Sequence, residues 1–230
     1  MFNFVTGPGR ILNCFYRHIL RDTPMAPRWN DLYYDADGNI EVKAQNKRSP
    51  GLSNLFPFAP YTSPKLDIAG FGSVETAYQF AKAAYFDQRL SGPQYSIHIP
   101  EAYDSIVLRE QFPATLTARE AKSRGGKGAF STAIASVYGN KAAAGRLYDE
   151  ILPWWFQQSA GVMRCLIGLK FSDENPQFKE LLLSTGDAKI YEGRRRRGNV
   201  WERGANIPGI TTSGWGLLGD LLMQRREELR

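Results

Sequence analysis

The chain has 230 residues, 43% of them hydrophobic and 13% aromatic, which is enough apolar material for a substantial core and too much for a disordered chain. Its 29 basic and 23 acidic residues leave a net charge of +6, which favours anionic partners such as nucleic acid or phosphorylated small molecules and fits a solvated basic surface equally well. Two cysteines (Cys14, Cys165) and two histidines (His18, His98), all outside any metal-ligand spacing, argue against a disulfide scaffold, a metal site or a Ser-His-Asp triad. No cofactor is expected, and the cysteine usage suits reducing cytoplasm.

Residues 1–50 read as an N-terminal extension. Gly7, Pro8, Gly9 and Arg10 interrupt any leader-like apolar run, and no apolar stretch of about 18 residues occurs anywhere, so no membrane contact is expected. A short amphipathic piece covers Ile11 to Leu20. The stretch "DLYYDADGNIEVKA" predicts a hairpin turning at Asp37-Gly38. Residues 51–69 form a loop rich in proline. A helix follows Gly72, with Ser73 as its N-cap and Glu75 in the first turn. Helical periodicity returns at 101–111, 116–123, 129–137 and 141–158, and in "SAGVMRCLIGLKF". Asn175, Pro176 and Gly186 cap, start and end another helix. A strand "AKIYE" and a last amphipathic helix from Leu217 to Leu229 complete the chain. The pattern predicts a helix-rich α+β single domain with a few short strands.

The helix in "GFGSVETAYQFAKAAYF" places Glu75, Tyr78, Gln79 and Lys82 at i, i+3, i+4 and i+7, one face over two turns. By spacing alone this fits a solvated stripe, with Glu75 favoured near the positive end of the helix dipole. It also fits a ligand-facing wall, because a loop carrying Ser53 and Asn54 leads into the helix start.

"GLSNLFPFAPY" followed by "FGSVETAYQFAKAAYF" resembles the paired signature of the NADAR (YbiA-like) family. Downstream, "WFQQSAGVMRCLIGLKF", "FKELLLSTGDAKIYE", "VWERG" and "GLLGDLLMQRREEL" resemble further family segments in the same order. The resemblance covers roughly 51–230, implying one NADAR-like domain there with residues 1–50 outside it. It departs at Thr76, where the family has histidine, and at Gly198, Asn199, Glu202, Arg203 and Gly216, along what would be the C-terminal wall of a pocket.

The resemblance implies an N-glycosidase acting at the anomeric carbon of a ribosyl-phosphate or ADP-ribosyl adduct. Such a bond breaks through an oxocarbenium-like state that needs a nearby carboxylate. Glu75 takes that role. Lys82 either pairs with phosphate or attacks the ring-opened sugar as a Schiff-base nucleophile. Asn54 would hold ribose or a base edge, and Tyr78 and Gln79 would orient the carboxylate. Trp155 and Trp201 align with the family's functional tryptophans, for stacking or for core packing. Lys122 and Arg124 align with a basic pair suited to phosphate or to solvent. Arg194, Arg195, Arg196 and Arg197 have no family counterpart; they fit nucleic-acid phosphates or a solvated loop. The expected substrate is ADP-ribosylated guanine in DNA. The alternatives are a free riboflavin-pathway intermediate, or a binding module for nucleotides or modified DNA without turnover.

Overall fold

A computed structural model describes residues 11–13, 32–34, 40–42, 52, 54, 71–92, 108–113, 115–187, 189–191 and 216–230. By its internal contacts the chain divides into two compact units. One combines Met1–Phe56 with Ile167–Arg230, grouping the N-terminal segment with the C-terminal part of the chain; the other is Pro57–Leu166.

In the first unit, strands β1 (Ile11–Asn13), β2 (Leu32–Tyr34), β3 (Ile40–Val42) and β4 (Lys189–Tyr191) line up in the order β3-β2-β1-β4. β2 and β3 pair antiparallel with Leu32 opposite Val42 and Tyr34 opposite Ile40, as the hairpin reading requires; the turn between them lies outside the described residues. β1 and β4 pair in parallel, Ile11 with Lys189 and Asn13 with Tyr191. The start of the amphipathic piece at Ile11 is therefore strand. Helix Pro176–Leu183 buries Phe178, Leu181 and Leu182 and contacts the C-terminal helix Leu217–Glu228, which packs on β4 around the buried Ile190. The buried Arg226 guanidinium donates to Thr185 Oγ1 at 2.9 Å.

The second unit contains helices α1 (Val74–Leu90), α2 (Ala118–Arg124), α3 (Lys127–Tyr138) and most of α4 (Lys141–Lys170); the helices named in the first unit are α5 and α6. α1 starts where Ser73 Oγ accepts the Thr76 amide at 3.1 Å. It packs against α2 and a 3-10 turn at Leu108–Gln111. That turn is tied to α1 by Asp87, whose carboxylate accepts the amides of Leu108 (2.7 Å) and Arg109 (3.0 Å). Burial pushes the Asp87 carboxyl up, and the two amides oppose the rise. Of the helix expected at 101–111, residues 108–111 form this 3-10 turn, and 101–107 lie outside the described residues. α3 ends at Gly139, whose φ of 66° is the left-handed conformation that glycine adopts at least cost. α4 merges two predicted helices into one of 30 residues, with Pro153 inside it. Its buried side, Ala144, Tyr148, Ile151, Trp155 and Ser159, follows helical spacing.

The expectation of an α+β single domain is corrected here. Six α-helices form the body of the described structure, and the unit holding Glu75 has no strand among its described residues. Among the described residues each strand covers three positions, and it is the helices that supply most of the buried apolar side chains. Periodicity finds strand segments; it does not tell whether they grow into a layer.

Candidate active site

The polar stripe of α1 is not solvated. Glu75, Tyr78, Gln79 and Lys82 are all buried, as is Thr76 between them. Ala77, Ala83, Phe86 and Leu90 are buried too, so α1 is enclosed over much of its circumference. Enclosed polar groups need partners.

Gln79 Nε2 donates to Glu75 Oε1 at 2.9 Å, an i, i+4 contact that fixes the carboxylate along the helix. This amide orientation leaves the buried Gln79 Oε1 without a hydrogen-bond partner among the described residues. The carboxylate takes the donor, while the acceptor lies against a backbone wall without a hydrogen bond. That wall is Gly125, the C-cap of α2, where a Cβ would lie 1.9 Å from Gln79 Oε1. Any larger residue there would have to displace the Gln79 side chain, whereas its φ of −74° demands nothing unusual.

Lys82 points at the same residue. Its Nζ donates to Gly125 O at 2.8 Å and to Tyr148 Oη at 2.7 Å. The rings of Phe130 and Tyr148 each lie 4.9 Å from the ammonium and that of Phe86 5.8 Å, a partly electrostatic and largely apolar shell. Burial lowers the Lys82 pKa from 10.5 to about 8, against a smaller opposing pull from Glu75. Tyr148 is pushed the other way, to about 12, first by burial and then by Asp149. It remains a neutral hydroxyl that can accept from the ammonium.

Trp155 is buried, with its ring 5.2 Å from Tyr78 and 5.7 Å from Tyr85 and its Nε1 donating to Tyr78 Oη at 3.1 Å. Tyr78 is thus held by the tryptophan, and Gln79 holds the carboxylate. Thr76, standing where the resemblance expects histidine, has its hydroxyl 2.8 Å from Ser73 Oγ and 3.3 Å from the Leu116 carbonyl oxygen. Its role is to tie the helix start to the neighbouring turn.

The structure therefore brings together Glu75, Tyr78, Gln79, Lys82 and Trp155. Lys122 and Arg124 are exposed on α2, and Arg124 donates to the Gln111 carbonyl at 2.8 Å. Asn54 is buried and belongs to the first unit. Trp201 and Arg194–Arg197 lie outside the described residues. Two residues that sequence reading passed over complete the constellation. Gly125 sits in a Gly-Gly pair legible only as a helix end. Tyr148 precedes Trp155 by two helical turns, so the face of Trp155 could have named it.

Among the described residues there is no cluster of three or more metal-ligating side chains, and no helix is long and apolar enough to cross a membrane. No protein-family model matches the chain, and comparison with curated proteins finds no match.

Proposed function

We propose that this protein is an N-glycosidase of the NADAR type that removes ADP-ribose, or a related ribosyl phosphate, from guanine in DNA, and that it acts in the cytoplasm. The observation that carries the reading is the enclosed pair on α1: a carboxylate fixed by Gln79, and a lysine whose charge is destabilised by burial. A fixed carboxylate in a partly dry environment stabilises an oxocarbenium-like centre more strongly than it would in water. Glu75 serves this role and aligns the attacking water as the bond from C1′ to the base breaks.

Lys82, with a pKa of about 8, has a sizeable neutral fraction near neutrality. It is suited to add its amine to C1′ of a ring-opened sugar, expel the base nitrogen, and be freed when water hydrolyses the resulting imine. The sequence resemblance over 51–230, the net charge of +6 and the Arg194–Arg197 run support a DNA-linked substrate.

Mass spectrometry of ADP-ribose released from an ADP-ribosylated oligonucleotide tests the reading. Glu75→Gln should lower the rate by about 10²–10³-fold with the fold retained; an unchanged rate overturns the catalytic assignment. The wild-type rate should rise with pH through about 8 as the Lys82 amine is freed. Cyanoborohydride should trap a sugar adduct on the wild type and none on Lys82→Met. Release of base only from free riboflavin-pathway intermediates overturns the DNA assignment.

A further inference from the structure

Next to the buried Trp155 stands Trp154, 49% exposed and one of the few large apolar side chains among the described residues turned to solvent. It is not isolated. The Arg89 guanidinium lies 5.3 Å from its ring and 5.4 Å from the ring of Tyr85, and Arg89 Nε donates to Tyr85 Oη at 3.0 Å. Tyr85 in turn packs on Trp155, which holds Tyr78. A continuous run of aromatic and guanidinium planes thus leads from the surface to the helix that carries Glu75.

We infer that the Trp154–Arg89 face is a stacking platform for an unpaired nucleobase of single-stranded DNA, taking up a nucleotide that flanks the modified base. The inference rests on the nucleic-acid reading of the active site. Three observations select this occupant. Arg89 forms no ion pair among the described residues, so its two terminal nitrogens remain available to a phosphate while its plane backs the tryptophan. Gln157 and Gln158, both exposed, follow Trp154 at i+3 and i+4 and supply amide donors and acceptors on the same helix face. Along α4 the acid within one turn of Trp154 is Glu150, one turn N-terminal and away from the glutamines. A single exposed indole reaches only a base that is already unstacked, which selects single strands over duplex.

Anisotropy of a short fluorescent single-stranded oligonucleotide, without any modification, tests this on the full chain. Trp154→Ala should weaken binding roughly tenfold with an unchanged salt slope, and Trp154→Phe should restore most of the loss. Arg89→Gln should flatten the log–log salt slope by about 0.7, the share of one phosphate contact on a single strand. Equal affinity of wild type and Trp154→Ala overturns the inference. It is also overturned if the wild type ignores single strands while Trp154→Ala turns a sedimenting dimer into a monomer, which would make the face a protein interface. Because the probe carries no ADP-ribose, a chain that binds it through Trp154 yet releases no ADP-ribose from modified DNA supports this inference and overturns the glycosidase reading alone.

Discussion

Lys82 is charged below about pH 8 in the folded chain and below 10.5 when unfolded. Below pH 8 both states hold the proton, and the fold bears the full cost of burying it. Between the two values the folded state sheds its proton first, so stability rises with pH relative to a chain lacking the group. The stability of wild type relative to Lys82→Met should therefore improve by about 2 kcal/mol from about pH 7 to about pH 9.5 in urea titrations. A pH-independent difference would show that the ammonium is solvated. Gly125→Ala tests the other side of the site. The backbone accepts alanine, but the new methyl must displace Gln79, so overpacking of about 1–3 kcal/mol is expected; under the proposed function, the rate of ADP-ribose release should fall more than that of wild type held at the same stability in mild urea. At this scale Glu75, Gln79 and Lys82 were legible because helical spacing puts them on one face. Their burial was not, since a polar stripe reads the same whether water or protein covers it.

α2 is a short helix whose start is defined by its cap. Thr117 Oγ1 accepts the Glu120 amide at 3.3 Å, and Glu120 returns to the Thr117 amide at 2.9 Å, a reciprocal pair that satisfies donors left open by the first turn. Hydrogen bonds from Thr117 hold the Glu120 carboxyl below its usual range. Thr117→Ala should cost about 1 kcal/mol in thermal or chemical unfolding and leave the Glu75–Gln79 contact in place. Caps were readable where side chain and helix start adjoin, as at Ser73. Asn175 shows the limit. It occupies the N-cap position, yet its amide donates to the Leu169 carbonyl at 2.9 Å and its side chain does not cap the helix. The Leu169 carbonyl engages the amide through its donor and leaves Oδ1 without a hydrogen-bond partner among the described residues, which no local pattern reports.

For the molecule as a whole, the excess of six positive charges sets how it meets a polyanion. Replacing Arg194–Arg197 with glutamine should weaken DNA binding and lower its salt slope by up to about 3, measured by titration at several salt concentrations. An unchanged slope would return the run to solvent. Helix content was readable over most of the described chain, because apolar periodicity through 74–90 and 141–170 is strong. The layer architecture was not. Strand segments such as Ile11–Asn13 and Lys189–Tyr191 pair across nearly the length of the sequence, and nothing local says how far such pairing extends.

Pro153 has a consequence for how α4 opens. Lacking an N–H, it cannot donate to the Asp149 carbonyl, so the backbone ladder of a 30-residue helix has a gap at that turn. Amide hydrogens on either side should exchange with deuterium as two segments of different protection. The gap falls immediately before Trp154 and Trp155, so the turn that carries both indoles is where fluctuations of this helix should begin.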